Sequence, residues 1–207
     1  MSVVAVIDYG MGNIRSVARA VEHVAAVKVL ITNDADSICA ADRVIFPGVG
    51  ALRDCMSELQ RLELVEAIRV SARTRPFLGI CLGMQALLER SEENDGTLGL
   101  GIIAGEVRRF VPTSGIKIPH MGWNQVHQQQ EHPLWQGIAQ DSRFYFVHSY
   151  YVVPLDNDIV MGTSDHGQRF VSALGRENVF ATQFHPEKSH HAGLQLLKNF
   201  IGWDGGR

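Results

Sequence analysis

Five consecutive apolar residues, Val3-Val4-Ala5-Val6-Ile7, four of them β-branched, run straight into Asp8-Tyr9-Gly10. A strand with one wet face alternates polar and apolar side chains, so an unbroken run of this kind marks a strand covered on both faces. Residues 27–31 and 43–46 read as second and third strands, and Pro76-Phe77-Leu78-Gly79-Ile80 as a fourth, each closed by turn residues. Helical spacing fills the gaps. Ile14, Val17, Ala18, Val21 and Val24 share one face behind Asn13, a residue able to cap the helix. Leu52, Met56, Leu59, Leu62, Val65 and Ile68 follow with a break near Gln60 and Arg61, and 82–88 reads as the helix behind the fourth strand. Strands alternating with helices imply an α/β fold, a mainly parallel sheet with helices on both faces.

From about Ala104 the texture changes. Short β-like runs at 106–111, 143–147, 150–153, 159–163, 169–174 and 179–182 come without long helices between them, which predicts a smaller antiparallel subregion of paired strands. A final helix is expected over 189–200, packing through Leu194, Leu197 and Phe200, and Gln128-Gln129-Gln130 reads as an exposed loop. No linker or repeat divides the 207 residues, and a chain that is 45% hydrophobic can bury one sizeable core, so a single domain over 1–207 is expected. Nineteen basic against 22 acidic residues leave a net charge of −3, too little positive field to hold nucleic acid. Arg69, Arg73 and Arg75 read as a solvated helix end. The N-terminal apolar run lacks a basic leader and is too short to span a membrane, so a cytoplasmic protein with no membrane partner is expected.

The chemistry concentrates at Gly79-Ile80-Cys81-Leu82-Gly83-Met84-Gln85 and, about a hundred residues on, Phe184-His185-Pro186-Glu187. Together they offer a nucleophile, an acid/base and a carboxylate to orient it, the parts of a thiol acyl-transfer site. Cys81 falls at a strand-to-helix turn, where flanking glycines allow a tight elbow and the helix N-terminus favours thiolate. Pro186 keeps His185 out of the helical region, and in an extended segment His185 and Glu187 would project to one face. Pro47-Gly48-Val49-Gly50, ending the third strand, could turn a backbone N–H toward a neighbouring oxyanion; a simple sharp turn is the competing reading. Cys39 and Cys55 fall in helical stretches, where free cysteine behaves as a small hydrophobe. His185, His190 and His191 lack the spacing of a metal set. Gly10-Met11-Gly12-Asn13 has neither a third dinucleotide glycine nor the Lys-Ser/Thr of a phosphate loop. No metal and no cofactor are expected.

These three motifs together resemble the class I (triad) glutamine amidotransferases. Within that family, Asp8-Tyr9-Gly10-Met11-Gly12-Asn13, Pro119-His120-Met121-Gly122-Trp123-Asn124 and Phe144-Tyr145-Phe146-Val147-His148-Ser149-Tyr150 resemble the glutaminase subunits of imidazole glycerol phosphate synthases. The resemblance implies a flavodoxin-like fold and glutamine hydrolysis, with Cys81 as nucleophile, His185 as acid/base and Glu187 orienting it. It implies an oxyanion hole at Val49, Gly50 and Leu82, and glutamine held by Gly50, Gln85, Ser149 and Tyr150. Ammonia would pass to a cyclase subunit with a (β/α)8 barrel, in a heterodimer whose interface includes Asn13, Trp123, Tyr145 and Lys188. An amidotransferase subunit of pyridoxal phosphate synthesis, a non-catalytic glutamine-binding module and a cysteine peptidase are the alternatives; the segment 119–124 argues against the first, and the complete Cys81, His185 and Glu187 set against the second.

Overall fold

The computed structural model describes residues 2–112 and 115–206. Its first half holds strands β1 (Val3–Ile7), β2 (Lys28–Thr32), β3 (Arg43–Gly48) and β4 (Phe77–Cys81), interleaved with helices α1 (Ile14–Val24), α2 (Ala35–Ala40), α3 (Leu52–Arg61), α4 (Val65–Thr74) and α5 (Leu82–Ala86). The unbroken apolar strands have the expected cause. In β1, Val4 and Val6 enter one core with α1 residues Ile14, Val17 and Val21, while Ala5 and Ile7 enter another with Leu52, Cys55 and Leu59 of α3. The period-2 alternation continues in β3, where Val44 and Phe46 join the second core and Ile45 the first. Each such side chain contributes about 1.5–3 kcal/mol by leaving water, and both faces need covering.

The second half adds β5 (Leu88–Ser91), β6 (Thr97–Leu98), β7 (Ile103–Arg109), β8 (His120–Gln125), β9 (His127–Gln128), β10 (Arg143–His148), β11 (Tyr150–Pro154), β12 (Val160–Asp165), β13 (Arg169–Arg176), β14 (Val179–Thr182) and helix α6 (His190–Gly202). The main sheet runs β2-β1-β3-β4-β14-β13-β11-β7-β5-β6, with β12 pairing β13 and β9. Pairing is parallel from β2 through β14 and antiparallel from β14 through β11 to β7. Strands β8 and β10 form a separate antiparallel ribbon. The chain thus returns β14 to the middle of the sheet, directly beside β4, with Ala181 opposite Gly79 and Thr182 opposite Ile80. That register brings the two distant motifs together.

Several expectations change. Asn13 stands at the start of α1, but its side chain does not cap the helix; it reaches Glu187 instead. The helix after Cys81 ends at Ala86 because the chain turns into β5. In α6, Leu196 is fully buried with Leu197 and Phe200, whereas Leu194 is half-buried, one position off the expected stripe. The glutamine run is not a free loop: Gln128 pairs with Gly162 in β12, and the Gln130 amide donates to the carbonyls of Asp158 and Val160. Arg69 is more than a solvated charge, since its guanidinium donates twice to the Leu100 carbonyl.

Candidate active site

Cys81 ends β4 and immediately precedes α5, and its backbone is left-handed (φ 55°, ψ −108°). A non-glycine residue there costs on the order of 1–3 kcal/mol and persists only where the surroundings over-determine it. Gly83 does so from one side. A Cβ at that position would stand 1.9 Å from the Phe46 carbonyl oxygen, so only glycine lets α5 press against β3. Gly79 is close-packed to a lesser degree, with the Gly83 carbonyl oxygen and Ala181 Cβ at 3.1 and 3.2 Å from a notional Cβ. The Gly-x-Cys-x-Gly pattern is therefore a packing requirement of the elbow that aims the thiol. Beside it, β3 carries Gly48 in register with Cys81 and then Gly50 at φ 94°.

His185 follows β14 in extended conformation (φ −99°, ψ 98°), as Pro186 requires. Residues Pro186–Lys188 then form one 3-10 turn rather than the extended segment expected, and this turn folds Glu187 back onto the imidazole. Nδ1 of His185 lies 2.9 Å from Glu187 Oε1, with both side chains almost wholly buried. The carboxylate therefore fixes Nδ1 as the protonated nitrogen. Nε2 is buried and makes no hydrogen bond among the described residues. Burial opposes a charge on His185, but the nearby Cys81 and then Glu187 outweigh it and raise its pKa to about 10. The Asn13 amide donates to Glu187 Oε1 at 3.5 Å.

Gln183 does not stand out in the sequence. Fully buried, it donates its amide to Cys81 Sγ at 3.6 Å and accepts from Gln85 Nε2 at 3.0 Å. Nothing in the sequence marks it out, since Thr182 beside it is polar as well.

Over Cys81 opens a cavity of about 270 Å³. Its walls include Val49, Gly50, Leu82, Gln85, Ser149 and Tyr150, the residues expected for the oxyanion hole and for glutamine, together with Glu93, Pro119, Val147 and His148. Gln85 is anchored rather than free: Nε2 donates to the Tyr150 carbonyl at 3.2 Å as well as to Gln183. Glu93, also unforeseen, is the only carboxylate among the described residues lining this cavity, and it is fixed by accepting the Leu52 N–H at 2.8 Å. In sequence it lies in an acidic turn, Glu92-Glu93-Asn94-Asp95-Gly96, that resembles ordinary surface. Among the described residues no group of His, Cys, Asp and Glu is arranged to hold a metal ion.

The pattern of the family "Glutamine amidotransferase class-I" matches residues 5–203. The chain belongs to the class-I glutamine amidotransferase family. This amidotransferase is 59% identical over 207 residues to the imidazole glycerol phosphate synthase subunit HisH of Nitrosococcus oceani, covering 99% of both chains. It is 57% identical to subunit HisH 1 of Pseudomonas aeruginosa, again over 99% of each. Among solved structures, a putative GMP synthase subunit from Thermoplasma acidophilum superposes with a TM-score of 0.72 at 21% identity, covering 98% of this chain and 93% of that one. PurLQS from Thermotoga maritima does so with 0.72 at 19% identity, covering 97% and 98%. These two share its fold.

The amidotransferase also gathers the four residues expected at a partner surface. Lys188 Nζ stands 5.7 Å from the Tyr145 ring centre, Tyr145 meets Trp123 edge-on at 6.1 Å, and Trp123 stacks on His190 at 4.9 Å. Asn13 joins them through Glu187, the residue preceding Lys188. Trp123 and Met121 are exposed on the β8–β10 ribbon. No helix among the described residues is long and apolar enough to cross a membrane.

Proposed function

We propose that this chain is the glutaminase subunit of an imidazole glycerol phosphate synthase, hydrolysing glutamine to glutamate and ammonia for use by its synthase partner. Identity of 59% along the whole length to a subunit of that name carries the assignment. Histidine biosynthesis in the cytoplasm is its setting, and residues 1–207 form one amidotransferase domain.

Glutamine enters the cavity with its carboxamide over Cys81. Glu93 faces the α-ammonium, and the Ser149-Tyr150 backbone and Gln85 border the rest of the substrate. Cys81 passes its Sγ proton to His185 Nε2 and the sulfur attacks the carboxamide carbon, forming the C–S bond as negative charge gathers on the carbonyl oxygen. Backbone N–H groups of Leu82 and of the Val49-Gly50 segment receive that oxyanion; one such donor contributes about 3 kcal/mol in the transition state. His185, protonated and held by Glu187, gives its Nε2 proton to the departing nitrogen as the C–N bond breaks. It then takes a proton from water attacking the thioester and, as the C–S bond breaks and glutamate leaves, returns that proton to the sulfur to restore the thiol. Gln183 steadies the sulfur by its amide N–H.

Ammonia passes to a cyclase subunit with a (β/α)8 barrel, docked on the face of Asn13, Trp123, Tyr145 and Lys188. An exposed, stacked tryptophan supports this face as an anchor. The test mixes the chain with a candidate cyclase and the acceptor nucleotide. Wild type is expected to make product from glutamine or from ammonium salt, and Cys81→Ala from ammonium salt alone. Loss of both activities in Cys81→Ala, or glutamine-dependent product in it, overturns the assignment of Cys81.

A further inference from the structure

The two histidines of the 119–124 and 144–150 motifs meet in the interior, and neither belongs to the triad. His120 in β8 and His148 in β10 sit opposite each other in the ribbon, both almost fully buried, with His120 Nδ1 2.9 Å from His148 Nε2. At the far side, His148 Nδ1 lies 2.7 Å from the Tyr150 carbonyl, in the cavity wall. At the near side, His120 Nε2 lies 3.2 Å from Asn124 Nδ2.

Only one arrangement of protons satisfies this chain. The Tyr150 carbonyl can only accept, so His148 Nδ1 carries hydrogen and, in a neutral ring, Nε2 accepts. His120 must then donate from Nδ1 and accept at Nε2. Asn124 agrees independently: its Oδ1 accepts the Gln125 N–H at 2.8 Å, so its other atom is the amide nitrogen, which donates to the Asp165 carbonyl at 2.7 Å and to His120. Both ends dictate the same direction.

We propose that Asn124, His120 and His148 form a one-way donor chain that holds the Tyr150 carbonyl in place, making His148 and His120 positioning residues for glutamine. The Tyr150 carbonyl also receives the Gln85 amide, so two donors fix one wall of the cavity. Burial keeps both rings neutral, lowering the pKa of His120 to about 4, with help from the His166 charge, and that of His148 to about 3. For His148 the Tyr150 carbonyl opposes that shift, and His120, His166 and His185 add to it. Packing preserves the geometry: His166 stacks on His120 with ring centres 4.1 Å apart, and Phe146 stacks at 4.9 Å. Asn124 adjoins exposed Trp123, so the chain ties the ribbon's outer face to the pocket wall. The inference rests on reading the cavity as the glutamine pocket.

Two measurements on the complex with the synthase partner test it. With 15N-histidine in this chain, NMR should show both rings in the Nδ1–H form, the minor tautomer of free histidine. In steady-state glutaminase assays, His148→Phe should raise KM for glutamine about tenfold, the scale of one lost hydrogen bond, with kcat changed less than about threefold. His148→Asn, whose amide nitrogen takes the place of Nδ1, should restore KM to within about threefold. Asn124→Asp, outside the cavity, should raise KM also, because a carboxylate demands a donor from His120 Nε2. An Nε2–H tautomer at His148, an unchanged KM in His148→Phe, or equal KM in His148→Phe and His148→Asn overturns the proposal. Absence of glutaminase activity in wild type would instead count against the proposed function, and the tautomers would still decide the donor chain. They also decide it if the variants do not fold.

Discussion

At the scale of single residues, the site depends on a few atoms with no room to move. Gly83 faces the Phe46 carbonyl so closely that any Cβ must displace backbone. Gly83→Ala is expected to destabilise by about 3 kcal/mol, lowering Tm by roughly 6–12 °C in a domain of this size, as calorimetry would show. Glu187 acts through the proton it fixes on His185 Nδ1. In Glu187→Gln an amide can present a donor there instead, favouring the wrong tautomer. Its kcat for glutamine should fall about 100-fold while ammonium-dependent synthesis by the complex is unchanged. Glu93→Ala should raise KM for glutamine with little change in kcat, because it removes the carboxylate in the cavity wall and leaves the triad untouched. Cys81, His185 and Glu187 were legible in the sequence because each is a reactive type in a marked setting, Cys81 two residues from a glycine on either side and His185 and Glu187 flanking a proline. Glu93 and Gln183 were not, because a carboxylate in an acidic turn and an amide beside a strand have no distinguishing neighbours.

At the scale of elements, the long apolar strands could be read because two-sided burial forces every residue of β1 and most of β3 and β4 to be apolar. Short pairs such as β6 and β9, two residues each, could not, since two residues show no period. The segment 119–124 read as a motif and not as strand β8 because Pro119 and Gly122 mask it and its alternating exposure involves polar as well as apolar side chains. The β3 terminus carries an element-level expectation. Gly50 at φ 94° sits where an alanine is strained and would also meet Met11. Gly50→Ala should keep the fold, by circular dichroism, and lower kcat/KM for glutamine about tenfold through a misaligned oxyanion donor.

At the scale of the whole molecule, the decisive event is the return of β14 to lie beside β4, which brings residues a hundred positions apart onto one elbow. The sequence offered both motifs and the strands that carry them but not the register that joins them, which is set by long-range packing. The buried histidines make stability depend on pH from both sides. His185, raised to about 10, contributes stability that is complete below its ordinary value of 6.5 and is lost as pH rises through about 10. His120 and His148, lowered to about 4 and about 3, contribute stability present above 6.5 and lost as pH falls through those values. Tm should therefore be highest near neutrality, and His185→Gln should flatten its alkaline side. The central claim is that Cys81 alone attacks glutamine at the floor of this cavity. Incubating the synthase complex with a glutamine analogue that carries an electrophile in place of the carboxamide, then mapping the adduct by peptide mass spectrometry, tests it most directly. The account expects stoichiometric label on Cys81, protection by glutamine, and loss of glutamine-dependent synthesis with ammonium-dependent synthesis intact. Label on Cys39 or Cys55 with Cys81 unmodified would contradict it.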